Sequence, residues 1–317
     1  MAKYLITGGC GFIGSHLCDA LLARGDKVRV LDNLSSGKET NLAPGVRLIR
    51  GEVSNPAAVA RAIRGCDGVF HLAGIASVAW CSTHWREGHL TNQTGTVTLF
   101  EAARDAGGIP VVYASSAAVY GDAGKGPIDE SRIPAPLTAY GADKLGSELH
   151  GRVARLVHGV PNVGLRPFNI YGPRQNPHSA YSGVISIFRD RLARGLPVKV
   201  FGDGGQSRDF VFVGDVVRFL LAAMNHRSAE PAVFNICTGR STTLLELIAT
   251  LGRLLGIRPE IIHADPRPGD IRHSLGDPAC ARAALGVTAE VPLERGLELL
   301  LADTAGDQRK APGRAGA

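Results

Sequence analysis

The sequence predicts an α/β fold, a doubly wound parallel sheet carrying a smaller C-terminal lobe. Three observations predict it. Strand-like and helix-like segments alternate through the first half of the chain. A glycine-rich turn joins the first strand to the first helix. After Pro167 the loops lengthen and become richer in Gly, Pro and Asn, as in "YGPRQNPHSAYSG" and "FGDGGQSRD".

The elements follow in order. "KYLIT" is a short β-rich run, and "FIGSHLCDALLAR" has apolar residues at helical spacing and stops at Gly25. "KVRVLD" and "VRLIRG" read as strands, "PAAVARAIRG" as a helix and "GVFHLA" as a strand. A long helical stretch is expected from about His84 to Ala106, then strand "PVVYASS", a helix opened by Tyr140, and strand "VGLRP". Such alternation favours right-handed crossovers onto a parallel sheet. Beyond Pro167, "GDVVRFLLAAM" and "TLLELIATLGRLLG" are helical, the second with Thr243 and Glu246 at capping-box spacing. The expected organisation is a nucleotide-binding domain over 1–166, to which 209–238 returns, a lobe over 167–305, and a disordered tail over 306–317.

Composition narrows the function classes. The chain has 317 residues, 44% hydrophobic and 20% charged, which is ordinary for a globular protein. No apolar run is long enough for a membrane span. "MAKYLITGG" reads as a strand beginning at residue 3 and not as a signal peptide, so a cytoplasmic location is expected. The net charge of +6 is dispersed, without the aromatic–basic interleaving of a nucleic-acid surface. Cys10, Cys18, Cys66, Cys81, Cys237 and Cys280 show neither metal-ligand nor CxxC spacing and read as free thiols, mostly buried. No metal site is expected.

"TGGCGFIGSH" follows the first strand and opens the first helix. Gly9, Gly11 and Gly14 satisfy GxGxxG, and Gly8, Gly11 and Gly14 satisfy GxxGxxG. Glycines here permit a tight turn, close approach of backbone to a pyrophosphate, and close helix–strand packing; the helix N-terminus offers unpaired N–H groups. Asp32 ends the next strand, where a carboxylate hydrogen-bonds ribose hydroxyls and repels a 2′-phosphate, which favours NAD. The plainer alternative makes Asp32 a strand-ending turn residue with Asn33. The pattern is that of a Rossmann dinucleotide-binding unit.

Strand "PVVYASS" ends in Ser115 and Ser116, at the carboxyl edge where ligands of such sheets bind. Tyr140 and Lys144 are four residues apart at a helix start, so they share one face. An ammonium and an oxidised nicotinamide beside the phenol would both lower its pKa toward the range of a general base. Taken singly, each residue is more often a turn, a packing residue or a solvated cation. In this order after a dinucleotide loop, they point to chemistry.

"TGGCGFIG", "DNLSSG", "HLAG", "ASSAAVYG", "YGADK", "RPFNIYGPRQNP", "FGDGGQSRDFVFVGDVV" and "RPGDIRHSLGD" stand in order from residue 3 to about 300. Together they resemble the extended short-chain dehydrogenase/reductase family, and within it the nucleotide-sugar 4-epimerases. The resemblance implies that Ser116, Tyr140 and Lys144 are catalytic, with Ser115 at the same strand end. It implies NAD contacts from Gly8, Gly11, Phe12, Ile13, Gly14, Asp32, Asn33, Ser36, Gly37, Leu72, Ala73 and Gly74. Glu52 and Val53 fall where the family contacts adenine, with Glu52 replacing the usual Asp. UDP contacts are implied from Asn169, Val200, Phe201, Arg208, Arg267 and Asp270, the arginines suiting a pyrophosphate.

The implied reaction is reversible inversion at C4 of a UDP-hexose through a transient 4-keto sugar, with NAD regenerated each cycle. Related 4,6-dehydratases carry Asp-Glu directly after the Ser/Thr; here Ala117 and Ala118 stand there and cannot transfer protons. Ser274 falls where some epimerases carry a bulky Tyr, so UDP-GlcNAc/GalNAc is expected as substrate beside UDP-Glc/Gal. Trp80 and Trp85 lie in a loop near the expected sugar end, either lining the pocket or packing between lobes. The resemblance also implies a homodimer formed by the helices His84–Ala106 and Tyr140–His158, whose apolar faces would otherwise pack on the sheet. A uronate epimerase, a decarboxylase or dehydratase with the same triad, and a catalytically silent dinucleotide-binding regulator are the alternatives.

Overall fold

The structure, a computed structural model, describes residues 1–175, 183–226, 228, 230–266 and 271–310, with side chains through Asp303. The chain opens with β1 (Lys3–Thr7), α1 (Phe12–Ala23), β2 (Lys27–Asp32), β3 (Arg47–Arg50), α2 (Pro56–Ile63) and β4 (Gly68–His71). Asn55 caps α2 by accepting from the N–H groups of Ala57 and Ala58, and Pro56 occupies the first helical position. The stretch read as one helix from about His84 to Ala106 is helical without interruption from Trp85 to Asp105, with a π-helical turn inside it and a separate short helix before it. The elements there are α3 (Val78–Thr83), then α4 (Trp85–His89), a π-helical turn over Leu90–Thr94, and α5 (Gly95–Asp105). Then come β5 (Val111–Ala114), α6 (Ala139–Leu156) and β6 (Asn162–Pro167). The Thr138 hydroxyl caps α6 by accepting from Gly141 N, which fixes where Tyr140 enters the helix.

The remaining elements are β7 (Asn169–Tyr171), α7 (Val184–Ala193), β8 (Val198–Phe201), β9 (Ser207–Arg208), β10 (Phe210–Phe212), α8 (Val213–Asn225), β11 (Ala232–Ile236), β12 (Thr242–Thr243), α9 (Leu244–Leu255), β13 (Ile261–Ala264), β14 (His273–Ser274), α10 (Ala279–Leu285) and α11 (Leu293–Lys310). The capping box at Thr243 and Glu246 forms, and α9 ends on Gly256 in the left-handed region at φ 67°. α11 runs through Lys310, into the segment read as tail; residues 311–317 lie outside those described.

The large sheet has the order β11-β6-β5-β4-β1-β2-β3, and every pairing in it is parallel. Period-2 alternation divides each strand between two cores. Ile6, Val30, Phe70 and Val112 pack with α1 and α8 on one face; Leu5, Leu31, Val69 and Val111 pack with α2 and α5 on the other. Strand β11 therefore returns to this sheet from beyond the lobe, and α8 covers it alongside α1. A third core gathers α7, α9 and α11 over β8 and β10 through Phe188, Leu192, Leu247, Leu251 and Leu297. Among the described residues, no helix is long and apolar enough to cross a membrane.

Candidate active site

β1 and β4 are neighbours, and from them the chain winds in opposite directions, toward β3 and toward β11. Ligands of doubly wound sheets bind beyond the carboxyl ends of strands at such a switch point. A cavity of about 1390 Å³ opens there and runs across to the lobe. Every residue assigned above to the cofactor loops, the strand ends and the Ser–Tyr–Lys set borders it, as do Asn169, Arg208 and Ser274.

The β1–α1 turn is shaped by close approach. Gly8 has φ +71°, and a Cβ there would stand 2.7 Å from Ala73 N; a Cβ on Gly14 would stand 2.3 Å from Gly8 O. Gly11 precedes α1 with no side chain to cap it, so first-turn N–H groups are left to the cavity. Asp32 is 7% exposed. Its carboxylate accepts from Cys10 N at 2.9 Å and Leu34 N at 2.8 Å, locking the turn to the end of β2. The turn role is thus observed, and a carboxylate with about four acceptor sites keeps capacity facing the cavity that Asp32 borders. Asn33 donates to both oxygens of Glu52, at 3.2 and 3.0 Å. The longer Glu is thus held against the adjoining strand end.

At the end of β5 the Ser116 hydroxyl accepts from Ala118 N at 3.1 Å, and Ser116 draws the phenol of Tyr140 down against its burial. Lys144 Nζ lies 5.8 Å from the centre of the Tyr140 ring and donates to Ala114 O at 2.7 Å. The one-turn spacing does stack the two groups. The expected lowering of the phenol does not follow from the protein's own groups: burial pushes Tyr140 up to about 12, and Ser116 only partly opposes it. Burial also pulls Lys144 down to about 8.

Behind this face lies a buried polar network. Ser115 Oγ donates to Glu148, which takes a bidentate pair from Arg166 at 2.8 and 2.6 Å. Arg166 also donates to Tyr120 OH at 2.8 Å, which donates to Asn235 Oδ1 at 2.8 Å. In β4, burial pushes His71 down to about 3, so it is neutral. Thr96 Oγ1 donates to Asn92 O and so accepts from His71 Nε2 at 3.0 Å; Thr7 Oγ1 donates to His71 Nδ1 at 2.8 Å while accepting from Ala73 N.

On the lobe side, Arg208 and Ser274 are register partners across β9 and β14. The buried Asp209 carboxylate accepts from Thr238 N, Thr238 Oγ1 and Gly239 N at 2.7–2.9 Å, tying β11 to the lobe beside Arg208. Val200 is packed in the lobe core, and neither it nor Phe201 borders the cavity; the Phe201 ring lies against Lys199 at 5.0 Å. Arg267 and Asp270 lie outside the described residues. Neither tryptophan lines the cavity. Trp80 stacks on His84 at 4.4 Å and Trp85 is 66% exposed, while Ser77, Val78, Ala79 and Ser82 form that wall. Helical phase turns Trp80 away from the face that Ala79 and Ser82 share.

Sequence reasoning missed three residues here. Asn92, in the π-helical turn, accepts from Ile75 N at 2.7 Å and fixes the strand end near Gly74. Arg189 on α7 is buried yet borders the cavity, and burial pulls its guanidinium down. Asp143, between the tyrosine and the lysine, pairs with His89 at 2.8 Å. Only Asp143 carried a signal, as an acid beside a candidate catalytic lysine.

Comparison with known proteins places this geometry in context. A UDP-glucose 4-epimerase of Mycolicibacterium smegmatis is 37% identical over 302 residues, covering 93% of this chain and 96% of the relative. A crystal structure of UDP-glucose 4-epimerase with UDP-glucose from Thermotoga maritima superposes with a TM-score of 0.93 at 37% identity, over 96% of this chain and 99% of that one. A UDP-N-acetylglucosamine 4-epimerase from Methanobrevibacter ruminantium, in complex with UDP-N-acetylmuramic acid, gives 0.92 at 32% identity over the same shares. The model of the NAD dependent epimerase/dehydratase family matches residues 4–237, from β1 and its glycine turn through Ser116, Tyr140 and Lys144 to the end of β11, and the chain belongs to that family.

Proposed function

We propose that this chain is an NAD-dependent isomerase that inverts C4 of a UDP-hexose reversibly. The observation that carries the reading is that Tyr140, with Lys144 Nζ one turn away over its ring, borders the same large cavity as Ser116. At about 1390 Å³ the cavity exceeds the roughly 300–1,000 Å³ of single-ligand pockets, so it has room for a dinucleotide and a nucleotide sugar together.

The residues fit NAD. The cradle at Gly8 and Gly14 is one that a Cβ would fill, the α1 N-terminus faces it uncapped, and Asp32 closes its far edge. Bound there, NAD supplies a reversible hydride acceptor for the sugar C4. Tyr140 takes the proton of the 4-hydroxyl as the 4-keto sugar forms and returns it when the opposite epimer is made. Ser116 holds the phenolic oxygen in place and polarises the same hydroxyl. Lys144 supplies positive charge beside the phenol and a donor toward the nicotinamide ribose. Ala117 and Ala118 offer no acid or base for eliminating water across C5 and C6.

Residues 1–166 with 209–238 form the cofactor-binding part in this reading, and 167–305 the sugar-nucleotide lobe. Asn169 and Arg208 hold the UDP moiety, joined by Arg189, whose buried guanidinium suits a diphosphate. Arg267 and Asp270 take the same role by resemblance. Ser274, small and facing the cavity, leaves room for an N-acetyl group, so UDP-GlcNAc and UDP-glucose are both substrates. The likeness to both a UDP-glucose and a UDP-N-acetylglucosamine epimerase supports that breadth. Two copies pair through α6 and its C-cap, which expose Leu149, Val153, Leu156 and Val157 on one stripe at 45–70%.

The test is incubation of purified protein with UDP-glucose or UDP-GlcNAc, without added cofactor, followed by chromatography and proton NMR. The galacto isomers at unchanged mass are expected. A product lighter by water or carbon dioxide, or none with NAD added, overturns the reading.

A further inference from the structure

We infer that Asn235, buried in β11, is a positioning residue for the sugar pocket: its one amide holds the Ser116 turn and the Ser274 wall at a fixed separation, and so governs selection for the C2 substituent. The inference rests on the reading of Ser274 given above.

Asn235 is 0% exposed, and its side chain bonds in two directions. Tyr120 OH donates to Oδ1 at 2.8 Å, and Nδ2 donates to Ile128 O at 2.9 Å. The orientation is forced. Arg166, the register partner of Asn235 on β6, donates to Tyr120 OH at 2.8 Å, and a guanidinium has donors only. The phenol therefore gives its proton to Asn235 Oδ1, which leaves the amide NH₂ for Ile128. The backbone N–H of Asn235 is held as well, by the Glu130 carboxylate at 2.6 Å.

Each end of that amide reaches a wall of the cavity. Tyr120 closes the short 3₁₀ turn Ala117–Tyr120, which starts from the Ser116 cap, and Ser116, Ala117 and Ala118 border the cavity. Ile128 borders it too, and it staples the segment that follows Ser274. Ile128 N donates to Leu275 O at 2.9 Å, and Ile128 O accepts from Asp277 N at 2.9 Å. That carbonyl thus takes two donors, one from the lobe segment and one from Asn235. Gly276 between them has no slack, since a Cβ there would stand 2.6 Å from Cys237 Cβ and 2.8 Å from the Phe168 ring. Among the described residues, no other side chain hydrogen-bonds to both the Ser116 turn and Ile128. A C2 N-acetyl group packs against the Ser274 wall and depends on where that wall stands. A C2 hydroxyl makes fewer such contacts and depends on it less.

The test compares wild type with Asn235→Leu, which removes both side-chain bonds at similar volume, and Tyr120→Phe, which removes only the bond on the Ser116 side. Both kcat and KM are measured for UDP-GlcNAc and for UDP-glucose. Asn235→Leu is expected to raise KM for UDP-GlcNAc about fivefold, the size of one net hydrogen bond, and KM for UDP-glucose less than about twofold. Tyr120→Phe is expected to lower kcat equally on the two substrates and to leave the ratio of their KM values unchanged. A KM ratio unmoved in Asn235→Leu, or moved equally by both variants, overturns the proposal, because a purely structural loss does not discriminate between substrates. If Asn235→Leu does not fold, Asn235→Ser, which deletes the amide without adding bulk, decides by the same ratio. Amide hydrogen exchange without substrate, read by peptide mass spectrometry, gives a second measure. Peptides holding Ile128 and Asp277 should exchange about fivefold faster in Asn235→Leu, against β1 as internal reference, and as in wild type in Tyr120→Phe. Unchanged protection in Asn235→Leu overturns the proposal. If wild type epimerises no UDP-hexose, the exchange still decides whether Asn235 holds the wall, separately from the reaction.

Discussion

Removing Arg166 tests how far the site depends on charge buried behind it. The Arg166 and Glu148 side chains are 7% and 6% exposed and meet in two parallel hydrogen bonds of 2.8 and 2.6 Å. Arg166→Met keeps much of the volume and removes both, leaving Glu148 with the Ser115 hydroxyl alone. Breaking one partner out of a buried pair costs about 3–5 kcal/mol, because the remaining charge stays desolvated. Tyr120 loses a donor but still donates to Asn235, so that end adds little. Against an ordinary stability of about 5–15 kcal/mol, the loss is large. Glu148→Leu in the same background removes the orphaned charge, so the double variant should recover about 2 kcal/mol relative to the sum of the singles. Urea unfolding of the four proteins, followed by circular dichroism, completes the cycle. A loss below about 1 kcal/mol for Arg166→Met, or strict additivity, would refute the view that the pair is tightly coupled and desolvated.

Other perturbations read other parts of the molecule. Tyr140→Phe should keep UDP binding by calorimetry and lower kcat about 100- to 10,000-fold, the usual range for a lost general acid–base group; unchanged turnover would remove Tyr140 from the chemistry. Ser274→Tyr should suppress UDP-GlcNAc turnover selectively, and equal losses on both substrate classes would sink the assignment of that wall. His71 has its folded pKa pushed down to about 3 from 6.5 by burial, so the unfolded chain binds the extra proton between those values. Stability should therefore fall as pH drops through that window, by at most about 1.4 kcal/mol per pH unit from this group, and His71→Asn should flatten the slope in acid titrations followed by fluorescence. Val153→Glu should turn a dimer into a monomer by light scattering; a monomeric wild type would dismiss the α6 interface.

The elements were legible wherever periodicity and punctuation agreed. Gly25, Pro56 and the Thr243–Glu246 box mark helix ends by local chemistry, and local chemistry is what a sequence prints. The π-helical turn between α4 and α5 was not legible. It takes one extra residue, and Asn92 there is held by contacts with Ile75, 17 residues away. That Ser116, Tyr140 and Lys144 meet at one cavity was readable, because Tyr140 and Lys144 share a helix and Ser116 ends a strand. The supports were not: Arg166 reaches Tyr120 across 46 residues, and Tyr120 reaches Asn235 across 115. Val200 and Phe201 fell on family positions, but strand alternation turns Val200 into the lobe core.

Proximity of opposite tendencies does not by itself activate a base. Tyr140 and Lys144 are stacked as their spacing predicts, yet the protein pushes each toward its neutral form, the phenol up to about 12 and the ammonium down to about 8. Both shifts have burial as their largest cause, and burial is also what makes a close charge effective. A site of this kind is therefore poised, with its reactivity handed to whatever charge enters the cavity or already stands at its edge. An oxidised nicotinamide would act on the phenol. The same low polarity that penalises the ion pair when the two groups face each other alone multiplies the effect of the added charge, which ties proton transfer to cofactor binding without any moving part.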